Sequence, residues 1–247
     1  MRGLEILPVR GIPEVRPGDD LPYLIARATG EDLRPGDILV VTHKIVSKAE
    51  GQIVDLSAVE PSALAKDFAA RYGRDPRQIE VVLRESRRIV RMDRGLIISE
   101  TRHGFVCANA GVDASNVPGD DAVCLLPVDP DASAARLREA LTARTGSERA
   151  VIVSDSFGRP WREGITNVAI GVAGMEPLAD YRGQRDPYGY PLEASILAVA
   201  DELAAAAELV MGKTEGIPVA VIRNYQYKVG PGRALDLLME PERDLFR

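Results

Sequence analysis

Ile38-Leu39-Val40-Val41-Thr42 and Ala150-Val151-Ile152-Val153-Ser154 decide how this chain is to be read. Both are short, almost unbroken apolar runs, and continuous hydrophobicity at this length marks a strand of a buried sheet. Gly36-Asp37 supplies the turn into the first run. Leu4 to Val9 and Ile217 to Ile222 read as further strands. Between them lie helical signals. Asp20 is placed to cap a helix running to about Ala28, and Glu60-Pro61-Ser62 opens another with Leu64, Ala65, Phe68 and Ala69 on one face. A third pattern covers Asp131 to Arg144, with Asp131 or Ser133 near its start; a fourth covers alanine-rich Ala194 to Met211, stopped by Gly212. In the middle, Ile79–Leu83, Arg88–Met92, Leu96–Ser99 and Phe105–Asn109 look like short β segments, with turns at Arg94-Gly95 and His103-Gly104. Gly158 to Gly189 has little periodicity and reads as a long, partly ordered active-site region. Strands and helices mix without regular βαβ alternation, so the expected class is α+β, with mixed sheets and helices. Residues 1–247 show no repeat or low-complexity linker and are expected to form a single domain, or two intimately packed α+β subdomains.

The composition is that of a soluble globular protein, with 45% hydrophobic and 28% charged residues over a length that can bury a sizeable core. A net charge of -6 argues against nucleic-acid binding by phosphate neutralisation, though it leaves room for a local basic pocket. No apolar run approaches the roughly 20 residues that cross a bilayer. Met1-Arg2-Gly3-Leu4-Glu5 lacks the apolar stretch of a signal peptide. Cys107 and Cys124 have no CxxC spacing and read as reduced core residues. A cytoplasmic protein without membrane or nucleic-acid partners is the expectation. Only five of the 31 basic residues are lysines, namely Lys44, Lys48, Lys66, Lys213 and Lys228. A lysine ammonium is a compact point charge suited to phosphate oxygens, so its scarcity makes each position informative.

Two motifs fail on inspection. Gly212-Lys213-Thr214 imitates the end of a P-loop, but Ala207 stands where the first glycine belongs and a helix precedes the tripeptide. Gly230-Pro231-Gly232 lacks the third glycine of a dinucleotide fingerprint, and Pro231 has no N–H to offer. Two histidines, His43 and His103, are too few for a histidine metal cluster.

Three carboxylates remain. Asp155 follows the strand Val151-Ile152-Val153 and precedes Ser156, which places oxygen ligands at a sheet edge where substrates commonly bind. Asp113 lies in the small polar loop Asn109-Ala110-Gly111-Val112-Asp113-Ala114-Ser115-Asn116, and Glu215 lies between Lys213 and Gly216, ahead of a strand. Each alone has a plain structural reading: a turn cap for Asp155, an Asx-turn for Asp113, an exposed loop acid for Glu215. Together with the Ser156 hydroxyl they suggest a site for one or two hard cations, Mg²⁺ or Mn²⁺, bridging nucleotide phosphates. Lys44 and Lys48 follow the strand at Thr42; in an extended segment, residues four apart face the same way and could share one anion. The alternative is a solvated edge strand guarded by lysine.

Read together, several stretches resemble the coenzyme F420-0:γ-glutamyl ligase family, in its standalone form. They are Ile12-Pro13-Glu14-Val15-Arg16-Pro17-Gly18-Asp19-Asp20, Val46-Ser47-Lys48-Ala49-Glu50-Gly51, Asn109-Ala110-Gly111-Val112-Asp113, Val153-Ser154-Asp155-Ser156, Gly158-Arg159-Pro160-Trp161-Arg162 and Gly212-Lys213. The resemblance implies a GTP-dependent, GDP-forming ligase. It would phosphorylate the lactyl carboxylate of F420-0, a deazaflavin, and let the amine of L-glutamate attack the acyl phosphate; further γ-linked glutamates could follow. It implies Asp113, Asp155 and Glu215 as the catalytic acids, with Asp113 and Asp155 on one divalent ion and Ser156 and Glu215 on a second. K⁺ is a further candidate ion. Ile12, Pro13, Glu14, Val15, His43, Lys48, Asn116 and Lys213 correspond to nucleotide-binding positions, His43 being a departure from the smaller residue of some relatives. The resemblance also implies an intertwined homodimer with sites near the subunit interface. Rival readings are a metal-dependent phosphohydrolase using the same acids and a non-catalytic nucleotide- or flavin-binding module.

Overall fold

The computed structural model describes residues 3–117 and 121–245. The first half of the chain forms β1 (Glu5–Val9), α1 (Leu21–Thr29), β2 (Ile38–Thr42), α2 (His43–Ala49), β3 (Ile53–Asp55), α3 (Ala63–Tyr72), α4 (Pro76–Glu85), β4 (Ser86–Asp93), β5 (Leu96–Thr101) and β6 (Val106–Ala108). The second half adds β7 (Ala122–Cys124), α5 (Pro130–Thr145), β8 (Ala150–Arg159), β9 (Arg162–Ala173), β10 (Ala179–Asp180), β11 (Ile196–Leu197), α6 (Val199–Met211) and β12 (Val219–Arg223). The class is α+β, with mixed sheets and helices.

The main sheet has five strands in the order β1-β12-β2-β8-β9. β2 and β8 run parallel, from Ile38↔Ala150 to Thr42↔Ser154, and every other pair in this sheet is antiparallel. Alternate side chains go to opposite faces. Leu39, Val41, Val151 and Val153 pack with residues of α1, α2 and α5. Ile38, Val40, Ala150 and Ile152 pack with Val199, Leu203, Ala207 and Met211 of α6. Cover on both faces is what demands continuous apolar strands here. A second, smaller core joins α3 and α4 to β5 through Phe68, Ile79, Val82 and Ile97.

Local chemistry sets the helix ends. Asp20, Ser62 and Asp129 each accept a backbone N–H of the first turn of α1, α3 and α5. Asp129 therefore caps α5, one turn's start ahead of Asp131 and Ser133. Asp131 instead accepts from Val172 N and Ala234 N, tying α5 to β9 and to the C-terminal segment.

Four expectations need correcting. Ile79–Leu83 is helical, because Asp75 accepts from Arg77 N at 2.8 Å and Pro76 opens the first turn; these caps override a run rich in β-branched residues. Lys44 and Lys48 are not on an extended segment or a sheet edge, since the chain turns from Thr42 directly into α2. Gly158–Gly189 is not mostly irregular: β9 occupies Arg162–Ala173 and pairs with β8 along its length. The last long helix starts at Val199, and Ile196–Leu197 before it is a strand.

Gly171 explains why β9 hides in the sequence. It looks like a strand breaker, yet a Cβ there would collide with the Pro130 carbonyl at the start of α5. The glycine lets helix and sheet approach. Gly171→Ala is expected to lower stability by about 1–3 kcal/mol through overpacking, read as a lower urea midpoint at unchanged slope.

Candidate active site

The strand directions gather the candidate residues at one end of the main sheet. β1 and β2 finish there, β12 begins there, and β8 passes through it, with Thr42 opposite Ser154 and Val9 and Val41 both opposite Val219. The loop holding Ile12 to Val15 leaves β1 at this end, α2 leaves β2, Asp155 and Ser156 follow Ser154, and Lys213 precedes β12. Gly18 N donates to Ala49 O at 2.9 Å and docks the loop on α2. A register shift opposite Val153 and Ser154 breaks the β8–β9 ladder just before Asp155. Bulges of this kind re-aim side chains beside functional sites.

Each candidate oxygen faces a nitrogen. Lys44 Nζ lies 2.6 Å from Asp113 Oδ2 and donates to Ser115 Oγ at 2.6 Å. Asp113 is anchored by backbone bonds in both directions with Cys124, and its Oδ1 accepts from Ser115 N at 2.7 Å. It is thus an Asx-turn residue and an ion-pair partner at once. Burial works to raise the Asp113 carboxyl, but the Lys44 and Ser115 hydrogen bonds outweigh it and hold the group below the ordinary range. Lys48, almost wholly buried, donates to Glu14 Oε1 at 2.5 Å. The two lysines therefore engage separate acids from one helix.

His43 is 1% exposed. Its Nδ1 lies 3.3 Å from Ser47 Oγ, and its Nε2 lies 3.3 Å from Asp155 Oδ1 without hydrogen-bond geometry. Its ring thus reaches the site through Asp155. Asp155 Oδ1 also accepts from Ser156 N at 2.7 Å. Lys213 Nζ donates to Ser156 Oγ at 2.6 Å and pairs with Glu208 Oε1 at 2.7 Å.

Two candidates stand apart. Glu215 is solvated, and its carboxylate turns back on Thr214, whose N and Oγ1 each lie 3.1 Å from it. The Thr214 backbone hydrogen bond is the first cause holding its carboxyl below the ordinary value. Asn116 is exposed on a left-handed turn at φ +57°. Sequence reasoning passed over Asn167, Glu208 and the Lys44–Asp113 pair. An Asn at the head of the apolar run 168–173 was the available signal for the first. A cavity of about 990 Å³ lies elsewhere, between α5 and Val229–Arg233, and contains none of these residues.

The oxygens are hard donors of the kind Mg²⁺ and Mn²⁺ take. Among the described residues, no three His, Cys, Asp or Glu side chains converge as a ligand set. Asp113, Asp155 and Ser156 offer separate carboxylate and hydroxyl oxygens, not a closed protein cage.

Comparison with known proteins places the chain in a family. The F420-0:gamma-glutamyl ligase family model matches residues 11–224. The chain belongs to that family. It is 51% identical to the coenzyme F420:L-glutamate ligase of Methanothermobacter thermautotrophicus over 252 aligned residues, covering 99% of each chain. It is 48% identical to the enzyme of that name from Methanopyrus kandleri, covering 100% of both, and 41% identical to the one from Haloarcula marismortui, covering 99% of this chain and 96% of the relative. The family assignment thus spans the loop at Ile12–Val15, α2 and the strand end at Asp155 together. Among the described residues, no helix is long and apolar enough to cross a membrane.

Both cysteines sit beside the site and are chemically quiet. Burial, then the Asp155 charge, pushes the Cys107 thiol up to about 12, and burial pushes Cys124 up to about 11. The thiolate is the nucleophile, so neither group reacts readily at neutral pH. Iodoacetamide at pH 8 is expected to leave both unmodified in the native protein and to label both in urea, read by intact mass.

Proposed function

We propose that the protein is a GTP-dependent ligase that adds L-glutamate to the lactyl carboxylate of coenzyme F420-0, and can extend the product with further γ-linked glutamates. Family membership over residues 11–224 carries this reading, supported by the gathering of Asp113, Asp155, Ser156 and three lysines at one sheet end.

The substrate carboxylate oxygen attacks the γ-phosphorus of GTP, the bond to the β-phosphate oxygen breaks, and GDP leaves. The glutamate amine then attacks the acyl carbon. Phosphate departs with the electron pair of the C–O bond, and the ammonium proton passes to solvent. A carboxylate is a poor electrophile and an acyl phosphate a good one, so no covalent protein nucleophile is needed. Two divalent ions, Mg²⁺ or Mn²⁺, would neutralise phosphate charge when bound, with Asp113, Asp155 and Ser156 as ligands and Glu215 joining after its loop turns inward. Lys48, on the helix beside the Ile12–Val15 loop, would exchange Glu14 for a phosphate oxygen. Lys44, one turn earlier on the same face of α2, would bind a further anionic oxygen. His43, buried 3.3 Å from Asp155 Oδ1, would back the nucleotide pocket through that contact. Ile12, Pro13, Val15 and Asn116 would shape the rest of the nucleotide pocket, with K⁺ as a further ion.

A homodimer with sites near its interface fits the exposed apolar groups on the β8–β9 hairpin and the following loop: Trp161, Ile165, Tyr188 and Tyr190. We read the protein as a soluble small-molecule ligase of the cytoplasm.

Mass spectrometry of F420-0 incubated with the protein, GTP, glutamate and Mg²⁺ is expected to show gains of whole glutamyl units, with GDP formed in step. GDP released equally without F420-0 and glutamate would make the protein a phosphohydrolase, and GTP binding without turnover would make it a binding module. Asp155→Asn keeps the shape and discards the charge. Turnover is expected to fall by orders of magnitude, while the metal-free melting temperature stays nearly constant; near-normal turnover would remove Asp155 from the site. Lys48→Ala is expected to weaken GTP binding about ten- to a hundredfold, the scale of one charge-assisted hydrogen bond, measured by calorimetry.

A further inference from the structure

A serine hydroxyl has one proton to give and two lone pairs to offer. At Ser156 the direction of that proton is fixed from two residues away. Asn167 lies directly across the β8–β9 ladder from Ser156 and is 4% exposed. Ser156 Oγ donates to Asn167 Oδ1 at 2.7 Å, and Asn167 Nδ2 donates to Glu208 Oε2 at 2.7 Å. A carboxylate only accepts, so Glu208 requires the amino side of the Asn167 amide. The amide oxygen must then face Ser156, and the hydroxyl proton must point at Asn167. The lone pairs of Ser156 are left aimed away from the strand pair. Lys213 Nζ occupies that direction at 2.6 Å from Ser156 Oγ, and the same ammonium rests 2.7 Å from Glu208 Oε1.

We propose that Asn167 and Glu208 are positioning residues of the candidate site: they make the Ser156 hydroxyl an obligatory acceptor and seat the Lys213 ammonium on it, marking a cation position that a divalent ion takes by displacing Lys213. The proposal rests on the reading of Ser156 as a metal ligand and adds how that ligand is aimed and what it holds beforehand. Three observations favour exchange over a fixed structural tie. The Lys213 side chain is 54% exposed, and an ion pair so open to solvent contributes little, so releasing it is cheap. Lys213 directly follows Gly212, the residue that ends α6 at φ +61°, so Lys213 stands outside the helix's hydrogen-bonded frame. The C-terminus of α6 also carries partial negative charge, which favours any cation placed there. Asn167 and Glu208, by contrast, lie on β9 and α6 and keep their places when Lys213 leaves. A neutral hydroxyl is a weak ligand whose contribution depends on aim, which is what the pair supplies.

The test is the affinity of the full-length, nucleotide-free protein for Mn²⁺ alone, measured by electron paramagnetic resonance on wild type, Lys213→Met and Asn167→Ala, with melting curves alongside. Removing the competing ammonium is expected to tighten Mn²⁺ binding at least fivefold in K213M. Freeing the hydroxyl proton in N167A is expected to weaken it several-fold, the scale of one lost hydrogen bond, without a matching loss of folded protein. A tie that serves only stability predicts the reverse pattern: lower melting temperatures with Mn²⁺ affinity unmoved. Unchanged or weaker binding by K213M, or unchanged binding by folded N167A, overturns the proposal and leaves the ligase reading standing. If N167A does not fold, K213M at its exposed position decides alone. No Mn²⁺ bound by either wild type or K213M overturns the proposal, while Mn²⁺ binding with GTP present and glutamate ligation, measured on the same samples, still judge the metal and ligase readings separately.

Discussion

The parallel pairing of β2 with β8 is the constraint on which the site depends. Its register sets Thr42 opposite Ser154, so the next residues of each strand, His43 and Asp155, emerge side by side and meet at 3.3 Å. One residue of slippage would send each strand's side chains to the other face and separate the pair. Register is secured because both faces are buried: Leu39, Val41, Val151 and Val153 have one set of partners and Ile38, Val40, Ala150 and Ile152 another. Catalytic geometry at the strand ends is therefore maintained by packing well below it. The same sheet end receives β1's loop and β12's leading turn because β12 runs antiparallel to both neighbours.

At this end each of three ammonium groups is paired with an acid, Lys44 with Asp113, Lys48 with Glu14 and Lys213 with Glu208, and the pairs are open enough to part. Asp113 with Lys44 and Glu14 with Lys48 each join a solvated carboxylate to a more buried amine. Contrast Asp37 and Arg223 at the other end of the sheet, both nearly inaccessible, where the guanidinium donates Nε and Nη2 to the two carboxylate oxygens at 2.9 and 2.8 Å. Breaking that pair would leave a buried charge unmatched, a cost of several kcal/mol. Arginine's rigid fork suits the permanent bond, and lysine's point charge on a flexible stem suits the exchangeable one. The chain deploys them accordingly.

That division explains how much of the site was legible beforehand. Against an arginine-rich background, three of the five lysines, Lys44, Lys48 and Lys213, proved to sit at the candidate site. The buried strands were legible because continuous hydrophobicity has few other uses. Ile79–Leu83 was not, because β-branched residues favour strands and only the Asp75-Pro76 cap says otherwise. β9 was obscured by Gly171, which serves a helix–sheet contact that no local pattern announces. Asn167 and Glu208 lie 41 residues apart, and their meeting is a product of α6 crossing β9. Single-sequence patterns report neighbours along the chain, whereas this relay exists only across it. The acids themselves were visible as residue types near strand ends, but Glu215 shows the limit: its place between a helix end and a strand singles it out, yet its side chain turns to Thr214.

The pairing has a further consequence for order of events. A site in which Asp113, Glu14 and Glu208 are already matched with ammonium groups has part of its negative charge offset, so it exerts a reduced pull on a bare cation from a distance. A nucleotide carrying its own metal brings both signs of charge at once. Phosphate oxygens can take the lysines while the metal takes Asp113, Asp155 and Ser156, and each exchange replaces one satisfied pair with another. Neither the carboxylates nor the amines need pass through an unpaired state, which in a partly buried site would be costly. On the proposed reading, the lysine pairs would keep bare negative charge from accumulating at this sheet end until the substrate brings its own ligands.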